Sequence, residues 1–131
     1  MADKWIQLMS EDGTDNLFPT SKMDLLWTNA SPSSSFAEQT ISIDLSSYSA
    51  VVVETVHDED GAPYGFNFIC EKNRQTTLTT FSMRVTFRVR RRGCTVTDAG
   101  ISFLDAYDSA SWENNSKLNN VAVPFKIYGI K

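Results

Sequence analysis

Apolar and polar residues alternate with period two along much of the chain, and no long stretch repeats apolar positions at the spacing of a helix. In Ser82–Arg91, the side chains of Met83, Val85, Phe87 and Val89 fall on one side of an extended backbone. Ser82, Arg84, Thr86, Arg88 and Arg90 fall on the other. This stretch predicts a half-buried strand with an oily inward face and a cationic outward face. Ala50–Val56 is rich in β-branched valine and predicts a buried central strand. Further strands are predicted at Trp5–Met9, Thr40–Leu45, Tyr64–Glu71, Gln75–Phe81, Thr95–Asp98, Ile101–Tyr107 and Val121–Ile130, while Lys22–Thr28 fits a short helix or a strand.

Turn formers separate these segments. Asp12-Gly13 tolerates positive φ, Asn29–Ser35 is a surface loop, Ser46–Ser49 reverses the chain, and His57–Pro63 closes a hairpin. Gly93 permits a bend or bulge, and Pro124 belongs at a sheet edge, a strand start or a bulge. About nine short strands with turns between them predict an all-β chain: an antiparallel β-sandwich, jelly-roll-like, forming a single domain over residues 1–131.

Composition adjusts this picture only slightly. With 131 residues, 41% of them hydrophobic and 21% charged, the chain suits one core without staples of metal or disulfide. No apolar run is long enough to cross a bilayer and Met-Ala-Asp-Lys-Trp does not begin a secretory signal, so no membrane insertion and synthesis in the cytoplasm are expected. Cys70 and Cys94 are then expected as free thiols. The net charge of −4 argues against nucleic acid as a partner, since phosphate contacts dominate that affinity. The charge is unevenly placed, with seven cations and no acid from Lys72 to Arg92.

No catalytic constellation emerges. His57 sits in an acidic turn, no Gly-x-Ser-x-Gly elbow is present, and Asp98, Asp105, Asp108 and Glu113 are the carboxylates a glycan hydrolase would draw on, with Trp112 for sugar stacking. These acids are more simply polar-face residues, so the chain is expected not to be an enzyme. Asp58–Asp60 and the Asp12, Asp15, Asn16 group match no calcium loop, and one histidine with two cysteines cannot close a zinc site of nitrogen and sulfur ligands. No metal and no cofactor is expected.

The candidate binding residues are of two kinds. Arg84, Arg88 and Arg90, reinforced by Arg74, Arg91 and Arg92, form a row suited to a subunit interface or to an anion; arginine enrichment favours the interface. Trp112, with Asp108 and Asn114 close by, is the candidate glycan platform.

Three segments resemble small β-rich virion modules of tailed bacteriophages and prophages: Asp12-Gly13 leading to Leu17-Phe18-Pro19, Leu25–Pro32 through Phe36–Leu45, and the terminal Val123–Lys131. The resemblance implies a structural fibre, spike or capsid-decoration protein, released with the virion and assembling as a homo-oligomer, trimer favoured, with other virion proteins. It carries no binding residue over. On that basis Arg84, Arg88 and Arg90 are expected to meet carboxylates of a neighbouring subunit, within Asp58–Asp60. The alternatives are a monomeric carbohydrate-binding module engaging a host-surface glycan and, third, a glycan-acting hydrolase.

Overall fold

A computed structural model describes residues 23–56, 66–82, 87–110 and 116–131. The described strands are β1 (Met23–Thr28), β2 (Gln39–Ser42), β3 (Ala50–Val56), β4 (Phe66–Glu71), β5 (Gln75–Ser82), β6 (Arg88–Thr97), β7 (Gly100–Ala110), β8 (Ser116–Lys117) and β9 (Val123–Ile130). No helix occurs among the described residues, and Lys22–Thr28 resolves as a strand from Met23 onward. The strands expected at Trp5–Met9, and the turn at Asp12-Gly13, lie outside the described residues.

Two antiparallel sheets form a sandwich-like all-β domain. The first has the order β1-β9-β3-β4; the second has β2-β7-β6-β5, with β8 on β7. Strands distant in sequence pair in both sheets, β1 with β9 and β2 with β7. The middle closes locally, as the hairpins β3–β4 and β5–β6.

β3 and β4 bury the faces their alternation dictates. In β3, Val51, Val53 and Thr55 are buried while Val52, Glu54 and Val56 are only partly so. In β4, Phe66, Phe68 and Cys70 share the inward side, and Cys70 is fully buried. Val51, Val53, Cys70, Val123 and Ile127 from the first sheet meet Leu78, Cys94, Val96, Ile101 and Phe103 from the second, with Phe36 and Leu45 joining from the connections. Each such buried aliphatic or aromatic side chain contributes about 1.5–3 kcal/mol of transfer free energy.

The connections are built from local hydrogen bonds. Asn29 accepts the Ser31 N–H at 2.9 Å through Oδ1 and donates through Nδ2 to the Pro124 carbonyl at 2.9 Å, so the serine-rich loop is tied to β9. Pro124 lies in a central strand, near its start. Thr55 faces Pro124 whereas Glu54 faces Lys126, so a bulge at Phe125 takes up the register where proline cannot donate. The Phe125 carbonyl accepts from the Asn29 N–H at 2.7 Å. Gly100 follows the two-residue turn Asp98-Ala99 with φ +154, and a Cβ there would meet the Ile41 carbonyl oxygen at 2.2 Å, so only glycine lets β2 approach β7.

Candidate functional site: an inward arginine row and an outward apolar row

The strand expected to run unbroken across Ser82–Arg91 is divided between two. β5 ends at Ser82 and β6 begins at Arg88, with Ser82 and Arg88 directly opposite each other. Arg84 lies outside the described residues.

The outward placement of the arginines is corrected by β6 itself. Its register against β5 is uninterrupted from Ser82–Arg88 to Gln75–Thr95, so its faces alternate without a break. Cys94 and Val96 point into the core, and the same parity carries Arg92 and Arg90 in with them, both 0% exposed. Val89 and Arg91 occupy the other face. Two hydrophobic sets of opposite parity compete along this segment, Phe87 and Val89 against Cys94 and Val96; the second set wins, and Phe87 is left 41% exposed.

Charge in a core costs several kcal/mol per ion unless it is paired and hydrogen-bonded. The pairing comes from β7, through a bulge. Thr97–Gly100 to Cys94–Phe103 set one register; beyond it Arg92 faces Ala106 and Arg90 faces Asp108, so Gly93 is opposed by both Leu104 and Asp105. Continued without that extra residue, the same register would set Arg92 against Asp105 and Arg90 against Tyr107. The bulge therefore exchanges which β7 residues face inward: Ile101 and Phe103 before it, Ala106 and Asp108 after it.

Asp108, 8% exposed, accepts from Arg90 Nε at 2.9 Å and from Arg88 Nη1 at 2.5 Å. Arg88 is half-buried, so it seals the pair from solvent. Arg92 forms no ion pair with a carboxylate among the described residues. It donates instead to main-chain carbonyls: Nε to Ala122 at 3.0 Å, Nη1 to Leu104 at 2.7 Å, and Nη2 to Asn119 and Val121 at 3.3 Å each. The Leu104 carbonyl is available because it sits in the bulge. The Phe36 ring lies 5.2 Å below the guanidinium, a cation–π contact. Burial pushes Arg92 down to about 10, with Asp105 opposing the shift, so the guanidinium stays charged at neutral pH. It clamps the turn before β9, where Ala122 is buried with φ 47.

Asp105 is the other organising acid. It accepts the Glu38 N–H at 3.0 Å and Asn119 Nδ2 at 2.8 Å, and pairs with Lys117 at 3.0 Å. Those hydrogen bonds, the backbone one first, hold its carboxyl down to about 2. Asp98 pairs with Lys72 at 2.7 Å. Thus Asp98, Asp105 and Asp108 each face their own cation, and the paired carboxylates of the hydrolase alternative are not brought together; Glu113 lies outside the described residues.

The glycan set fares similarly. Asp108 is buried and committed to Arg88 and Arg90, so it does not face a ligand, while Trp112 and Asn114 lie outside the described residues. Asp58–Asp60, expected to meet the arginines from a neighbour, also lie outside them, as does His57. Arg90 reaches no neighbour from a position 0% exposed, and both it and Arg88 pair with Asp108 of their own chain.

A different surface stands out. On the outer face of the first sheet, Leu25 is opposite Tyr128, Tyr128 opposite Val52, and Val52 opposite Ile69. One apolar row therefore crosses all four strands, with Leu25 54% and Ile69 66% exposed at its two ends. Met23, Ile130 and Ala50 make the next row on one side; Lys126 and Glu54, cross-strand partners, border it on the other. No single segment carries this pattern, because each strand contributes one residue.

Compared with family models, with characterised proteins and with solved structures, the chain matches none.

Proposed function

We propose that this domain is a structural assembly module, of the virion kind that its resemblance to phage β-rich modules implies, and that it associates with further copies of itself through the outer face of the β1-β9-β3-β4 sheet. The observation that carries this reading is the apolar row Leu25–Tyr128–Val52–Ile69. An antiparallel sheet in a sandwich buries one face and ordinarily presents polar side chains on the other. A row of aliphatic and aromatic residues across the whole sheet is the composition of an interface centre, and its charged border is the composition of a rim.

A second copy fits this face by charge. Glu54 and Lys126 lie side by side on one border, so a copy turned about a twofold axis sets Lys126 against Glu54 and Glu54 against Lys126. Arg90 and Arg92 play no part in the contact, since they hold the sandwich together from within. No reaction is assigned: the acids near one another are each tied to a cation, which suits scaffolding better than proton transfer.

Sedimentation equilibrium at micromolar concentration tests the reading, on the wild-type chain and on Ile69→Lys and Leu25→Lys, two substitutions at positions already more than half exposed. The wild type is expected at a mass of two copies and both variants at the mass of one. A wild type that stays monomeric at high concentration, or variants that associate as well as it does, refutes the assignment of this face.

A further inference from the structure

We propose that Cys70 and Cys94 form a dithiol site that accepts a disulfide, closing a covalent staple between the two sheets. Cys70 is on β4 of the first sheet and Cys94 on β6 of the second, both are inward, and they are 0% and 1% exposed. Their sulfurs touch across the inter-sheet space, Cys94 donating to Cys70 at 3.6 Å. Both thiols are free in this structure.

Buried cysteines often serve simply as small apolar side chains. Two features separate this pair from that role. The chain has only these two cysteines, and the fold brings residues from different sheets to face one another sulfur to sulfur. A disulfide needs the sulfurs about 2.05 Å apart, so closure by about 1.5 Å, shared between two side chains, completes the bond.

The oxidant is a small-molecule disulfide, glutathione disulfide as the probe. Cys70 is the attacking sulfur, because the hydrogen bond from Cys94 lowers its pKa while the same contact and burial raise that of Cys94. The Cys70 thiolate displaces one glutathione from the oxidant and forms a mixed disulfide. Cys94, losing its proton, then attacks the Cys70 sulfur and displaces the second glutathione. Two thiols become one disulfide, and the oxidant leaves as two molecules of reduced glutathione, which balances protons and electrons. Among the described strands β4 is at the edge of its sheet, paired with β3 alone, so its local opening is the route by which the oxidant reaches a buried sulfur.

The test uses the whole chain, treated with glutathione disulfide or with a phosphine reductant, then alkylated in denaturant and weighed by intact mass spectrometry. The oxidised sample is expected to lose two mass units and take up no alkyl group, and to melt about 10 °C above the reduced sample. Cys70→Ser and Cys94→Ser are each expected to lose that redox-dependent shift, whatever their own melting temperatures. Two alkylated cysteines after oxidation, a glutathione adduct as the end product, or an oxidised chain that melts no higher than the reduced one overturns the proposal. Neither result bears on self-association, which leaves both inward sulfurs untouched.

Discussion

Replacing Asp108 by asparagine removes one negative charge from the sandwich interior with almost no change in volume. Arg90, 0% exposed, then loses the carboxylate that its Nε pairs with at 2.9 Å and cannot turn toward water, whereas Arg88, half-buried, can. Removing one partner of a buried ion pair typically costs about 3–5 kcal/mol. Asparagine still offers one acceptor oxygen, so the lower end, about 3 kcal/mol, is the expected figure. A domain of this size is stable by roughly 5–15 kcal/mol, so the loss is a large share of the total. With a urea slope of roughly 1.5–2 kcal/mol/M, the unfolding midpoint falls by about 1.5–2 M. Tryptophan fluorescence in a urea titration reads the shift directly. The internal control is Arg74→Ala, which breaks the Glu71–Arg74 pair on the surface and is expected to cost under about 1 kcal/mol. The double replacement Asp108→Leu with Arg90→Met is expected to recover most of the loss, since an apolar pair of similar volume needs no compensation. If Asp108→Asn proves no more costly than Arg74→Ala, the inward arginine row is refuted.

Gly100→Ala is expected to destabilise by at least about 2 kcal/mol in the same titration, because its Cβ would meet a backbone oxygen of β2 that no side-chain rotation can move. Phe36→Ala is expected to cost about 3–5 kcal/mol, the usual loss for a buried phenylalanine, since its ring packs edge-on against Phe103 and lies beneath Arg92. Asp105 has a folded-state pKa of about 2, below its ordinary value, so the stability it confers is complete above about pH 4 and is lost as pH falls toward 2. The gap in urea midpoint between wild type and Asp105→Asn is therefore expected to narrow across that window; a gap that does not change with pH contradicts the role given to this carboxylate.

Strand positions were legible where local chemistry spoke with one voice. Ala50–Val56 has β-branched residues at both parities and turn formers on both sides, and it forms the strand expected. Gly93 marked its bulge because a residue without a side chain tolerates the extra Leu104-Asp105 facing it. Lys22–Thr28 was ambiguous because Leu25, Leu26 and Trp27 are consecutive and follow neither period. The structure resolves them with a register shift between Leu25 and Trp27 against β9, about a hundred residues away along the chain.

The facing of β6 was misread for an instructive reason. Hydrophobic residues of one parity before Arg90 and of the other after Arg92 cannot both point inward along one regular strand. Which set prevails depends on whether the arginines find partners, and those partners come from β7 through a bulge and from the turn at Asn119–Ala122. Nothing within Ser82–Arg91 encodes them. The outer apolar row was invisible for a similar reason, since it exists only after four strands are set in register.

The central claim is that two charged arginines lie within the sandwich, and the exchange of their Nε–H protons with water tests it most directly. In a nitrogen-15 labelled sample at neutral pH, the Nε–H groups of Arg90 and Arg92, donating to Asp108 and to the Ala122 carbonyl, are expected as sharp, slowly exchanging signals. The Nε–H of Arg74, whose side chain is 70% exposed, is expected to exchange rapidly. Arg90 and Arg92 exchanging as fast as Arg74 would contradict the account.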